Sequence, residues 1–426
     1  MFVGSSESGL QQTTSHKVVL PFYIYAALSF LFACILLFLN TDIVNQHYFH
    51  PKTLAITHLM ALGWGTMIIL GASHQLLPVL IEGKLDSNLL ALLSFVFAAL
   101  GIPLLVYGFY QFNTGLILQS GAVMINISVV CYFLNVIQSI EASRKYNVHA
   151  FFIAAASLWL FATTFFGLLL VFNFSRSYLP ENSIEYLSLH AHMGLAGWFL
   201  LLIIGVASRL IPMFLISKYS NPKTLWWIFT LIHIGLLGFI ILKTSGTHPQ
   251  YYYTPFFLVF LAIILFANYC IKAHKVRIRK HVDQQMKISL LAVAMLLIPL
   301  ISLLAIIYFL REDSSSRWIL LYGFGIFFGW ISAIILGMTF KTLPFIVWNK
   351  VYHTRAKGRT PAPKDLFSES LFKVMAVLYL FGFIIFLVGI ILLNDLVLKL
   401  GAAFLLSSAI VYVLNILKTV FHKVQV

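Results

Sequence analysis

Charged side chains are scarce in this chain. Only 10% of its 426 residues are Asp, Glu, Lys or Arg, whereas 61% are hydrophobic, and soluble domains are about a quarter charged. This composition excludes a soluble enzyme. Because a membrane-spanning helix needs about 20 apolar residues, twelve such helices use about 240 residues and leave room only for short loops. A separate soluble domain is therefore also excluded.

Cysteines and intramembrane carboxylates are few as well. Cys34, Cys131 and Cys270 lie in apolar runs and form no Cys-x-x-Cys pair, which argues against a disulfide framework. No Asp or Glu falls in the middle of an apolar run, and intramembrane carboxylates are the usual parts of proton relays. A carboxylate-based proton pump is not expected.

The N-terminus lacks the features of a signal peptide, so we expect the first span to be retained.

Twelve apolar stretches are long enough to cross a bilayer. They cover residues 20–39, 56–80, 89–110, 116–137, 150–172, 187–216, 225–242, 254–271, 288–310, 318–347, 374–393 and 400–416. The loops and span ends on the same side as the N-terminus, Lys341 included, hold 21 of the 28 Lys and Arg residues. Those on the opposite side hold six. The positive-inside rule then predicts that both termini are cytoplasmic. This bias explains the net charge of +15, and no nucleic-acid binding is expected.

A Gly-Trp pair recurs at residues 63–64, 197–198 and 329–330, each time followed by Gly at +8 and Pro at +15. The copies are 134 and 132 residues apart. We therefore predict an all-α polytopic membrane protein with twelve transmembrane helices in three four-helix repeats, at about 20–140, 150–275 and 288–417, in a pseudo-threefold arrangement. One membrane domain, 20–417, lies between cytoplasmic tails at 1–19 and 418–426. The glycines should permit close helix contacts, and the tryptophans should lie at the membrane interface.

The predicted spans contain several histidines, which are candidate cofactor ligands. His58 and His192 occupy equivalent motif positions, and a buried imidazole is costly unless it has a partner, so we expect one haem with His58 as one axial ligand and His192 or His190 as the opposite one. His190 lies two positions before His192, about 200° around a helix. These two side chains therefore point to opposite sides and could serve two neighbouring sites. Further candidate ligands are His233, His74 and His248.

The segments HLMALGWGTMIILGASHQLLP and HAHMGLAGWFLLLIIGVASRLIPMF resemble the shorter, divergent members of the haem–copper oxidase subunit I superfamily, which includes nitric-oxide reductases. By this resemblance His58 matches the second-span ligand of a low-spin haem, and His192 or His190 matches the sixth-span copper ligand. His233 or His248 then corresponds to the copper histidines of the seventh span. The resemblance implies a b-type haem with or without copper, a diatomic gas (oxygen or nitric oxide), a small cytochrome c-type or copper electron-transfer subunit, and the inner membrane.

The sequence also departs from this family. The tenth span has no histidine, and Phe324 stands where the repeat places one. The sixth span has Gly194 and Ala196, not the family's tyrosine, after its histidines. We therefore expect a haem-binding redox protein without the standard binuclear centre, not a proton-pumping terminal oxidase. One alternative is a role in nitrosative stress or in haem or copper handling, as in the NnrS family, and another is a cofactor-free transporter or scaffold.

Overall fold

The computed structural model describes residues 14–278, 281–309, 315–352 and 360–423. In these ranges the chain forms twelve helices that are long and apolar enough to cross a membrane. They are α1 His16–Leu39, α2 Pro51–Leu80, α3 Asn88–Tyr110, α4 Leu116–Ser143, α5 Val148–Asn173, α6 Leu187–Leu215, α7 Pro222–Thr244, α8 Pro249–Lys275, α9 Gln284–Phe309, α10 Ser316–Tyr352, α11 Glu369–Leu392 and α12 Asp395–Val420. The predicted all-α, multi-pass class and the number of spans are confirmed.

The helix ends differ from the predicted spans by a few residues. Helix α1 begins at His16, before the predicted boundary at residue 20, and α12 continues to Val420. The helices therefore include part of both predicted tails. The outermost parts of those tails, residues 1–13 and 424–426, lie outside the described residues.

Side-chain caps fix where several helices begin. In each case a side-chain oxygen accepts a hydrogen bond from the backbone N–H three positions later, which satisfies a donor that the first helical turn leaves free. The capping residues are Ser87, Asn147, Asn221, Asp283, Ser368 and Asn394. Short polar residues at the loop ends therefore set the starts of α3, α5, α7, α9, α11 and α12.

The three helices that carry the repeated motif are the most buried in the bundle. In α2, α6 and α10 the hydrophobic segment is 72% buried, compared with 50% or less in every other helix. Each of the three also contains a π-helical stretch over its motif, at Leu59–Thr66, Met193–Leu200 and Gly325–Ile331. π-Helical turns are rare and are frequently found at functional sites. The motif therefore marks the centre of the molecule.

A central cavity of about 100 Å³ lies between these three helices. Each helix lines it with the same five motif positions, 134 and 132 residues apart. They are Ile68, Ile69, Ala72, Ser73 and Leu76 in α2, Leu202, Ile203, Val206, Ala207 and Leu210 in α6, and Ile334, Ile335, Met338, Thr339 and Thr342 in α10. Tyr23 of α1 completes the lining. The three motif helices therefore meet through equivalent faces.

The motif glycines allow α1, α5 and α9 to approach the motif helices closely. A Cβ added to Gly71 would lie 2.6 Å from the Cβ of Phe22 in α1. At Gly205 the added atom would collide with Phe152 of α5, and at Gly337 with Ser289 of α9. The predicted close contacts are confirmed.

The motif tryptophans are buried inside the bundle, so the prediction that they lie at the membrane interface is wrong. Trp64, Trp198 and Trp330 are 0%, 1% and 3% exposed. The indole of Trp64 donates to Ser332 Oγ at 3.0 Å, and that of Trp198 donates to Thr66 Oγ1 at 3.1 Å. Because these N–H groups find partners on neighbouring motif helices, the rings do not need to reach water.

The helix pairs α3–α4 and α11–α12 each contain the same two reciprocal hydrogen bonds. In α3 and α4, the backbone N–H of Ser87 donates to Asn135 Oδ1 at 3.0 Å, and Asn135 Nδ2 donates to the Ser87 carbonyl at 2.9 Å. Ser368 and Asn415 form the same reciprocal pair between α11 and α12, at 2.8 and 3.0 Å. Similar polar contacts therefore join α3 to α4 and α11 to α12.

Candidate functional site

A first cavity, of about 190 Å³, lies between α2 and α6. His58 and His190 both line it, and the centroids of their rings are 6.3 Å apart with an angle of 24° between the planes. The Nδ1 of His58 donates to the carbonyl of Leu54 at 2.8 Å. This bond fixes the tautomer and leaves Nε2 as the basic nitrogen, which is the usual state of a metal-bound histidine.

The position of His190 depends on a glycine in α5. A Cβ added to Gly167 would lie 2.8 Å from Cε1 of His190, so the imidazole occupies space that any larger residue would fill. The Nδ1 of His190 is buried and makes no hydrogen bond of good geometry among the described residues, although the ring lies within reach of the backbone of Thr163. A buried polar nitrogen without a partner is costly, and a bound group is one way to satisfy it.

A second cavity, of about 200 Å³, lies between α6 and α10. Here the Nδ1 of His192 donates to the carbonyl of Ser188 at 2.7 Å, and Tyr322 Oη lies 3.3 Å from Nε2 of the same ring. Because Nδ1 carries the proton, Tyr322 is the donor to Nε2. Lys243 of α7 and Tyr252 of α8 also line this cavity.

The two cavities are built from the same motif positions. Leu54, His58, Ala61, Leu62 and Thr66 of α2 line the first cavity. Ser188, His192, Leu195, Ala196 and Leu200 of α6, each 134 residues further along, line the second. The facing residues, His190 and Tyr322, are also equivalent, because they lie 132 residues apart. Sequence reasoning missed Tyr322, although the repeat spacing from His190 indicates it.

The third equivalent place is filled by aromatic side chains. Phe324 occupies the position of His58 and His192 in α10. Its ring stacks on Phe386 at 4.6 Å and on Phe383 at 5.4 Å, both in α11. This block therefore has packed aromatic rings where the other two have an imidazole facing a cavity.

The structure does not bring His58 and His192 together. They line separate cavities, so of the two partners expected for His58 it is His190, and not His192, that lies beside it. The prediction that His190 and His192 point to opposite sides is confirmed. His233 lies beside Phe229, 4.1 Å between centroids, and bonds to its carbonyl at 2.8 Å. It lines neither cavity.

The remaining candidate ligands are also apart from the cavities. His74 is 1% exposed and packs between Phe22 and Tyr132. His248 lies before the helical part of α8, where its Nδ1 accepts a hydrogen bond from the backbone of Gln250. Within the described ranges there is no group of three or more His, Cys, Asp or Glu side chains that could hold a metal ion. The copper set that the resemblance implies is not assembled there.

The spacing of the two imidazoles in the first cavity is that of two ligands of one iron atom, whereas the free volume of the cavity is small. Two imidazoles that bind one metal from opposite sides, with metal–nitrogen bonds of about 2 Å, have ring centroids roughly 6 Å apart, and His58 and His190 are 6.3 Å apart. The free volume of about 190 Å³ is below the roughly 300–1,000 Å³ of ligand pockets. Binding therefore requires lining side chains to move, and Phe109, stacked 4.6 Å from His58, is the nearest ring.

No protein-family model matches this chain, and no curated protein matches it.

Proposed function

We propose that the chain is a membrane-embedded haem-binding redox protein, with His58 and His190 as the axial ligands of one b-type haem. The single observation that carries this proposal is the facing pair of imidazoles in the first cavity, 6.3 Å apart with nearly parallel planes. A bound haem supplies one-electron chemistry. The protein supplies the ligands, an apolar lining and separation from water.

If His58 and His190 both held the haem, electron transfer would be favoured over gas binding. Oxygen or nitric oxide would then have to displace one of these histidines. His58 is held by its bond to Leu54, and His190 is packed against Gly167. Two fixed histidine ligands are therefore better suited to passing electrons, to or from a partner such as a small cytochrome c-type or copper subunit.

The proposal includes three four-helix repeats around a pseudo-threefold axis. Three observations support it: the shared lining positions of the central cavity, the equivalent walls of the first and second cavities, and the direction of the tryptophan bonds. Trp64 of the first repeat donates to the third, and Trp198 of the second donates to the first. In both cases the acceptor stands two positions after the partner helix's own motif tryptophan.

We also propose an inner-membrane location with both termini in the cytoplasm. The excess of Lys and Arg on the side of the N-terminus supports this orientation. In that orientation α2, α6 and α10 begin at the outer face. The first and second cavities then lie in the outer half of the bilayer, since His58 and His192 are in the early turns of their helices.

The test is the absorbance spectrum of the purified protein, oxidised and dithionite-reduced, with the haem content measured per chain. We expect a low-spin signal in the wild type. His58→Ala and His190→Ala should each abolish it, because either change removes one axial ligand. An absence of haem from wild-type protein purified from haem-replete cells would refute the proposal.

His233→Ala is the matched control. Like His58, His233 is an intramembrane histidine whose Nδ1 is bonded to the carbonyl four residues earlier, but it lines neither cavity. The His233→Ala spectrum should equal that of the wild type. His192→Ala separates the two possible partners of His58: a retained signal supports His190, and a lost signal contradicts this assignment.

A further inference from the structure

A long groove separates two helices that are neighbours in the bundle, α8 and α9. Helix α8 packs against α7, and α9 packs against α10, whereas the described residues of α8 and α9 contact each other at few places. In the repeat arrangement proposed above, the pairs equivalent to α8 and α9 are α4 with α5 and α12 with α1. Both of those pairs pack closely. The α8–α9 pair is therefore the open one of the three.

The groove has the size and lining of a site for an acyl chain. Its volume is about 620 Å³, within the roughly 300–1,000 Å³ of ligand pockets. Its lining extends along α8 from Phe260 to Lys275, about 22 Å of helix at 1.5 Å per residue, and one leaflet with its headgroups is about 20–22 Å thick. Most of the lining is aliphatic, and the hydrophobic segment of α9 is only 28% buried. The groove therefore opens toward the lipid chains.

One end of the groove is cationic. His274 and Lys275, in the last turn of α8, line this end, and Arg277 Nη1 lies 3.2 Å from Nδ1 of His274. Because a guanidinium has no acceptor, Nδ1 accepts this hydrogen bond, and the neutral imidazole carries its proton on Nε2. His274 therefore offers an N–H donor beside the ammonium group of Lys275.

Acidic side chains are scarce around these donors. Asp283 is the only acidic residue between Glu185 and Glu312 in the sequence, and its carboxylate is bonded to Lys341. The Nε of Arg277 is buried and makes no hydrogen bond among the described residues, which is a costly state for a charged group. A bound anion would supply the acceptor atoms that this end of the groove lacks.

The positive-inside rule alone explains cations at helix ends, but it does not explain a groove beside them. Lys418 lies in the last turn of α12 as Lys275 lies in that of α8, and both are exposed. Helix α12, however, packs against α1, and Lys418 does not line the groove. Only the α8 end therefore joins cations to a long apolar surface in this comparison.

We propose that the α8–α9 groove binds one anionic glycerophospholipid of the bilayer, with its phosphate at His274, Lys275 and Arg277 and an acyl chain between the two helices. The phosphate oxygens accept hydrogen bonds from the N–H groups, and the chain covers the aliphatic walls. A zwitterionic headgroup fits less well, because it brings a second cation toward Lys275 and Arg277. With both termini in the cytoplasm, this lipid belongs to the inner leaflet. The site requires no cofactor.

Native mass spectrometry of the purified chain in a mild detergent measures lipid binding directly. The probes are palmitoyl-oleoyl phosphatidylglycerol and palmitoyl-oleoyl phosphatidylcholine, which differ in the headgroup alone. We expect phosphatidylglycerol to bind with the lower Kd. Lys275→Gln should raise that Kd about fivefold, the factor expected for one cation beside an anionic lipid, and should reduce the preference over phosphatidylcholine. Lys418→Gln is the matched control and should change neither Kd.

The apolar part of the site is tested by filling the groove. Ala294 of α9 lines it, so Ala294→Phe should raise the Kd of phosphatidylglycerol. Leu291→Phe, on the same helix but outside the lining, should leave it unchanged. Glycerol 3-phosphate carries the anion without the chains, and an excess of it should not displace the bound lipid.

Three results would overturn the proposal. Equal Kd values for the two lipids would show that the groove takes bulk lipid without selection. A phosphatidylglycerol Kd that neither Lys275→Gln nor Ala294→Phe changes would place the lipid elsewhere, and displacement by glycerol 3-phosphate would indicate a site for small anions. The haem content of Lys275→Gln should equal that of the wild type, so this proposal and the proposed function stand or fail separately.

Discussion

The first and second cavities have the same construction and different chemistry. In both, a histidine bonded through Nδ1 to the carbonyl four residues earlier faces a residue of the next motif helix. That facing residue is His190 in the first cavity and Tyr322 in the second. Two imidazoles can bind a metal from both sides, whereas an imidazole and a phenol satisfy each other with a hydrogen bond.

The third block extends this comparison. Phe324 replaces the histidine there, and its ring stacks on α11. The motif position therefore determines where a cavity can form, and one or two side chains determine the chemistry of its wall. The three predictions below test this difference, beginning with the largest effect.

Exchanging the facing residues should exchange the properties of the cavities. His190→Tyr should abolish the low-spin signal, because a phenol replaces the second imidazole and can instead donate a hydrogen bond to His58. Tyr322→His gives the second cavity a pair of imidazoles, and we expect haem per chain to rise from one to two. The absorbance spectrum checks the first result, and the pyridine haemochrome assay with metal analysis checks the second.

The control for this exchange is Tyr322→Phe, which should leave the haem content at one per chain. An unchanged low-spin signal in His190→Tyr would show that the facing residue does not act as a ligand. If Tyr322→His gains no haem while remaining folded, the two cavities differ by more than their facing side chains.

A motif glycine should tolerate substitution far less than a glycine facing lipid. Gly205→Ala places a methyl group against the Cβ of Phe152, which no rotamer change can move, so we expect a loss of about 1–3 kcal/mol. Gly238→Ala meets nothing within 4 Å and should change stability by less than about 0.5 kcal/mol. Thermal unfolding in detergent measures both, and equal midpoints would contradict the packing described for α5 and α6.

The smallest expected effect is the loss of stability when a tryptophan hydrogen bond between two motif helices is removed. Trp198→Phe removes the hydrogen bond to Thr66, whereas the Trp330 indole donates to no described residue, because Leu200 stands at the equivalent acceptor position. Both changes lose similar ring area, so Trp198→Phe should be more destabilising by ~0.6 kcal/mol. Comparison of the two unfolding midpoints is the check, and a larger loss for Trp330→Phe would oppose this account.

The sequence predicted the helices well because each span is defined by its own composition. It also predicted that His190 and His192 point apart, which follows from helical geometry alone. It left open whether His58 faces His190 or His192, because that depends on how α2 and α6 pack. Trp64 was misplaced for a related reason: its partner, Ser332, is 268 residues away, and no local pattern distinguishes a tryptophan bonded inside the bundle from one at the membrane interface.

Each π-helical stretch divides its motif helix into two parts whose side chains face different cavities. A π turn takes more residues than an α turn, so each stretch rotates the part before it relative to the part after it. In α2, His58 precedes the stretch and faces the first cavity, while Ser73 follows it and faces the central cavity. Removing one residue inside Leu59–Thr66 would turn the two parts by about 100° against each other. One end of the helix could then keep its partners only if the other end lost its own.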